Sequence, residues 1–202
     1  MQNFVEKLKD NLQKPLPGIN AQMKMSSPTR GMYYDIPDNA KKSAVLLLLF
    51  PFENKIMLPL IKRPDYDGVH SGQMAFPGGK IEEGDDSLMH TALRETFEEI
   101  GVEVSKNQVL GKLTDLYIPP SNSLVSPYVA FINQKPIYQP DNKEVARVIE
   151  SPIEHFQNPL TLTQKEITIK QFKLKVPAYM LEGEIVWGAT AMIISEFLEL
   201  LS

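Results

Sequence analysis

The chain has 202 residues, 43% of them apolar and 23% charged, with a formal net charge of −4 and no cysteine. That length suits one domain with a real core, and the charge argues against a general nucleic-acid or anionic-membrane binder. Disulfides, thiolate metal sites and a cysteine nucleophile are excluded, and His70, His90 and His155 are too scattered for a histidine-rich zinc site.

The opening stretch, MQNFVEKLKDNLQKPLPG, holds no apolar signal core. The longest apolar run, Ala44 to Phe52, is nine residues, against roughly 18–20 for a membrane span. We therefore expect a cytoplasmic protein without a membrane partner.

In chain order, Phe4, Val5, Leu8 and Leu12 share one side of a predicted helix over 2–13, which Pro15 and Pro17-Gly18 end. Residues 19–42 read as an extended lead-in. Ala44–Leu49 is a predicted buried strand, 51–54 a turn and Lys55–Ile61 the returning strand of a hairpin. Residues 62–80 are rich in glycine and proline and read as loop. A helix is expected from Ser87 to Ile100, capped by Asp86 or Ser87 and stopped by Gly101. Strands are expected at 108–117, 124–133 and 144–150, then a short helix at 152–157 with Pro152 in its first turn. Alternation predicts a strand over 166–175, followed by another at 177–186 and a closing amphipathic helix to Leu201. The class is α/β (α+β mixed). Residues 1–42 form a helix and lead-in packed on the main domain, 43–202.

The helix after Ser87 carries the densest chemistry. RETFEE places Arg94, Glu95, Glu98 and Glu99 as helical neighbours, and like charges there repel by about 0.2–0.5 kcal/mol per exposed pair. At 100° per residue, Leu88, Met89, Ala92, Leu93, Phe97 and Ile100 make the buried half. Glu99 falls inside that arc, Glu95 just outside its edge and Glu98 further out. A carboxylate at the margin of a buried face needs a partner or a metal, and Mg²⁺ is foremost among cations that take oxygen ligands. A solvated acidic face is the alternative. Upstream, GGKIEEGDD lets backbone approach a ligand closely, so that a carbonyl can join the carboxylates.

Gly79, Arg94, Glu95, Glu98, Glu99, Gly101 and Val102 together resemble the Nudix box. Its intermediate acid is Asp85 or Asp86 here, eight residues instead of seven separate Asp85 from Arg94, and Thr96 stands at the first aliphatic position. Residues 58–80, LPLIKRPDYDGVHSGQMAFPGGK, resemble the extra signature of the coenzyme A pyrophosphatase subgroup through Arg63, His70, Gly72, Gln73, Phe76, Pro77, Gly78 and Gly79. The resemblance implies a Nudix-type α/β/α sandwich with a mixed β-sheet, and hydrolysis with Mg²⁺ or Mn²⁺. By position, Glu95 and Glu99 are expected as metal ligands, with the Gly78 carbonyl adding another. Glu98 is ligand or base, and Arg94 holds a glutamate in place. Arg63, His70 and Gly79 are expected at the substrate, although Arg63 and His70 also fit a surface cation and a backbone-bonded loop histidine. Glu144, in PDNKEV, is either a distal base or an ordinary strand-edge glutamate. The implied substrate is the pyrophosphate of CoA or its thioesters, giving adenosine 3′,5′-bisphosphate and (acyl-)4′-phosphopantetheine. The alternatives are another nucleoside diphosphate derivative, such as a nucleotide sugar or dinucleoside polyphosphate, or a silent binding module of the same fold. The oligomeric state is left open.

Overall fold

The computed structural model describes residues 2–31, 35–67, 70–169 and 172–201. The expected lead-in at 32–34, the loop at 68 and 69, and the 166–175 segment at 170 and 171 thus lie outside the described residues. In chain order the elements are α1 (Gln2–Leu12), α2 (Gly18–Met23), β1 (Lys41–Phe52), β2 (Lys55–Lys62), β3 (Met74–Ala75), β4 (Gly78–Lys80) and α3 (Leu88–Ile100). There follow β5 (Val109–Lys112), β6 (Leu116–Ile118), β7 (Ser123–Phe131), β8 (Arg147–Pro152), α4 (Ile153–Gln157), β9 (Leu162–Ile169), β10 (Phe172–Leu181), β11 (Glu184–Trp187) and α5 (Gly188–Leu200).

β1 explains the layering. A strand covered on both faces reads as a continuous apolar run, and VLLLLF is such a run. Leu46, Leu48 and Phe50 enter one core with Ala92 and Ile100 of α3. Leu47 and Leu49 enter the other with Leu8 and Leu12 of α1 and Ile193 and Phe197 of α5. The sheet between them is mixed: β1 runs parallel to β7 and antiparallel to β2 and β4, and β2 pairs with β8. The result is an α/β/α sandwich. A second sheet, β11-β10-β9, adds Tyr179, Leu181 and Val186 to the α5 core. Among the described residues no helix is long and apolar enough to cross a membrane.

Several boundaries differ from those expected. The lead-in contains α2, whose Ala21 and Gln22 are fully buried. Pro51 and Phe52 extend β1, and only Glu53 and Asn54, both with positive φ, make the turn. The 108–117 strand is split into β5 and β6, and the third begins at Arg147, so Glu144 lies in a turn. Pro152 is the N-cap of α4 and not its first turn. The 166–175 strand is two arms of a hairpin in which Phe172 pairs with Ile169. A period-two pattern on both arms leaves no mark of the reversal. The 177–186 strand likewise reverses at Glu182-Gly183, both at positive φ.

Candidate active site

α3 starts where Ser87 Oγ accepts the His90 N–H at 3.2 Å, and it stops at Gly101, which takes φ +70°. Its buried residues are Thr91, Ala92, Leu93, Thr96, Glu99 and Ile100. Phe97, expected on the buried half, is 55% exposed. The buried stripe is turned so that Glu99, at 1% exposure, sits inside it. Thr96 fits there because its hydroxyl donates to the Ala92 carbonyl at 2.7 Å. The Glu95 side chain is 13% exposed and that of Glu98 is 53% exposed.

Two glycines in β4 let the sheet meet this face. The Gly78 N–H donates to Glu99 Oε2 at 2.8 Å. Gly78 has φ +152°, and a side chain there would place Cβ 2.3 Å from the Ala44 carbonyl oxygen. A Cβ on residue 79 would lie 2.3 Å from Glu95 Oε1. The loop after β7 supplies the third wall. Its Gln139 and Asp141 N–H groups donate to the Ile100 and Glu99 carbonyls at the end of α3, and the Ala146 N–H donates to the Lys62 carbonyl. Pinned at both ends, that loop carries Glu144 in. Glu95, Glu99 and Glu144 each offer a carboxylate oxygen, and these lie within 4.8 Å of one another.

Burial pushes the Glu99 carboxyl up to about 7, helped by the charges of Glu95 and Glu144 and opposed by Arg63 and the Gly78 N–H. Burial also raises Glu95, against the pull of Arg94. Glu95 and Glu99, whose charged forms burial disfavours, converge with Glu144, and such a cluster suits a hard divalent cation. Arg94 fixes the surroundings. Its Nε and Nη2 form a fork on Asp85, and its Nη1 reaches Glu95 Oε1 at 3.1 Å and Glu98 Oε2 at 2.7 Å. Those bonds hold Asp85 far below the usual carboxylate range. Of the two acids weighed for the box, Asp85 is the one that meets Arg94.

Arg63 Nη2 lies 3.8 Å from Glu99 Oε1 and 3.4 Å from the Gly78 carbonyl oxygen. Lys62 instead pairs with Glu184 at 2.6 Å. His70 makes a local contact, Nδ1 to Gln73 Oε1 at 3.3 Å. The sequence therefore placed α3, but it read β4 as part of a loop, began the third strand at Glu144 and missed the Arg63–Glu99 approach. The signal for that approach was the charge of Glu99 on a buried face, which calls for a cation nearby.

The NUDIX domain family model matches residues 40–187. An uncharacterized Nudix hydrolase, NudL, of Yersinia pestis (strain Pestoides F) is 33% identical over 154 residues, 76% of each chain. The same figures hold for a NudL of Yersinia pseudotuberculosis serotype O:1b. Among solved structures, a MutT/nudix family protein from Enterococcus faecalis covers 91% of this chain and 73% of its own, with TM-score 0.56 and 17% identity. At that identity the likeness concerns the fold.

Proposed function

The chain belongs to the NUDIX domain family and is a hydrolase of pyrophosphate bonds in nucleoside diphosphate derivatives; we propose that its substrate is coenzyme A or a CoA thioester, cleaved with Mg²⁺ or Mn²⁺ to adenosine 3′,5′-bisphosphate and (acyl-)4′-phosphopantetheine. One observation carries this reading. The segment at 58–80 that resembles the CoA subgroup is itself a wall of the carboxylate site: it supplies Arg63, the Gly78 N–H on Glu99 and the Gly79 surface against Glu95.

In this reading Glu95, Glu99 and Glu144 would hold the cation, and the Gly78 carbonyl would add a ligand. A bound divalent cation neutralises a polyanionic pyrophosphate and acidifies attacking water. Arg94 orients Glu95 and Glu98 by charge-assisted hydrogen bonds. Glu98, at the exposed edge of the cluster, accepts the proton of the attacking water. The Arg63 guanidinium supplies positive charge for phosphate oxygens, and His70 and Gly79 border the substrate. Lys62, held by Glu184, is left out of that role.

Steady-state turnover with Mg²⁺ or Mn²⁺ on CoA, acetyl-CoA, ADP-ribose and NADH tests the substrate. We expect a CoA species to lead in kcat/KM by at least about tenfold, or about 1.4 kcal/mol of transition-state binding. CoA cleavage no faster than the rest would overturn the assignment.

A further inference from the structure

We propose that the Arg63 guanidinium is the built-in counter-ion of the carboxylate site in its cation-free form, and that it gives up Glu99 and the Gly78 carbonyl when a divalent cation is bound. The inference rests on the reading of Glu95, Glu99 and Glu144 as the cation site.

The two oxygens of Glu99 are not equivalent. Oε2 is taken by the Gly78 N–H at 2.8 Å, which leaves Oε1 as the oxygen open to a cation. Arg63 Nη2 stands 3.8 Å from that Oε1, and it is 3.4 Å from the carbonyl oxygen of the same Gly78. It therefore occupies the neighbourhood of two of the oxygens that a divalent ion would use. Its hold is loose. Charge-assisted N–H···O bonds settle near 2.7–2.9 Å, and the second arginine of the site makes bonds of 2.7–3.2 Å to Glu98, Asp85, Glu95 and the Lys80 carbonyl. Arg94 is thus fixed scaffold, whereas Arg63 is exchangeable. The Arg63 backbone is anchored, with its N–H on the Gln73 carbonyl at 3.0 Å and the loop closed by the Gly72 N–H on Pro64. Release consequently needs only the side chain to turn, and that side chain is already 28% exposed. Its neighbour Lys62 is engaged on β11 and does not take over.

Such competition has a defined signature. A site that is only fractionally competent binds its ligand more weakly by that fraction. Removing the Arg63 charge should then tighten cation binding, an effect that a merely structural role does not produce. Mn²⁺ alone, titrated calorimetrically without nucleotide, reads it. Arg63→Gln is expected to bind Mn²⁺ about tenfold more tightly than the parent, about 1.4 kcal/mol, and Arg63→Lys within about twofold of it. By linkage the same free energy appears as lost stability of the cation-free form. R63Q in EDTA should melt about 3–5 °C below the parent, and the gap should close at saturating Mn²⁺. Mn²⁺ affinity no tighter in R63Q, or a melting gap that persists at saturation, overturns the counter-ion role. Glu99→Gln separates the two readings. It is expected to lose Mn²⁺ binding, and parental affinity in E99Q would overturn the carboxylate site and the proposal with it.

Discussion

Glu99 is buried at 1% exposure, faces Arg63 and accepts the Gly78 N–H, and still its carboxyl is pushed up to about 7 from 4.5. The folded state therefore binds a proton that the unfolded chain has released between those values. Stability of the cation-free protein should fall as pH rises from about 4.5 through 7 and level off above, since stability drops wherever the native state holds more protons. Glu99→Gln should flatten that segment of the melting profile in EDTA, and an unchanged slope would mean that another group sets it. Gly79 makes a second case. A Cβ there meets Glu95 Oε1 at 2.3 Å, so Gly79→Ala must displace a carboxylate of the cluster while leaving the core intact. We expect turnover to fall at least about a hundredfold, on the scale of a 1 Å misplacement, with the melting temperature within about 4 °C of the parent. Retained turnover would show that Glu95 need not sit against β4. At this scale the sequence located the carboxylates through their spacing, because the helical period fixes the angle between them. It misjudged Phe97, because one apolar side chain does not decide where a stripe of similar width is centred. It misjudged the setting of Glu144, because loop placement depends on hydrogen bonds to the end of α3 that have no periodic signature.

Whole elements were legible when they carried their own punctuation. α3 has Ser87 and Gly101 at its ends, and β1–β2 has the turn at Glu53-Asn54. The β9–β10 reversal was hidden in continuous alternation, and α2 in a stretch with too few apolar residues to show a period. The closing helix shows what such gaps conceal. Glu196 of α5 is fully buried. Its Oε1 accepts the Gly18 and Thr114 N–H groups at 3.2 and 3.1 Å, and its Oε2 accepts Gln22 Nε2 at 2.8 Å. A buried glutamate needs such partners, and α2 supplies two of the three through Gly18 and Gln22. Glu196→Ala removes the shared acceptor of these three bonds, of which the one from Gln22 is fully buried, and hydrogen bonds to charged groups contribute about 1.5–3 kcal/mol. We therefore expect urea denaturation to show a loss of about 3 kcal/mol, with Mn²⁺ affinity unchanged. A loss below about 0.5 kcal/mol would mean that α2 docks by apolar contact alone.

Across the molecule, the layers follow from one strand. VLLLLF feeds Leu46, Leu48 and Phe50 to the α3 core and Leu47 and Leu49 to the α5 core, which is why the α/β class was readable. The family match ends at 187, yet Phe197 and, from the other end, Leu8 and Leu12 complete the second core. The site lies on the α3 side, where β4, the end of β2 and the 139–146 loop converge on one helix face. The most direct measurement is product analysis. CoA is incubated with the protein and Mn²⁺, and the mixture is resolved by chromatography and mass spectrometry. Equal amounts of adenosine 3′,5′-bisphosphate and 4′-phosphopantetheine, abolished by EDTA and by Glu99→Gln, are expected. Intact CoA under conditions in which the same preparation cleaves ADP-ribose would contradict the account.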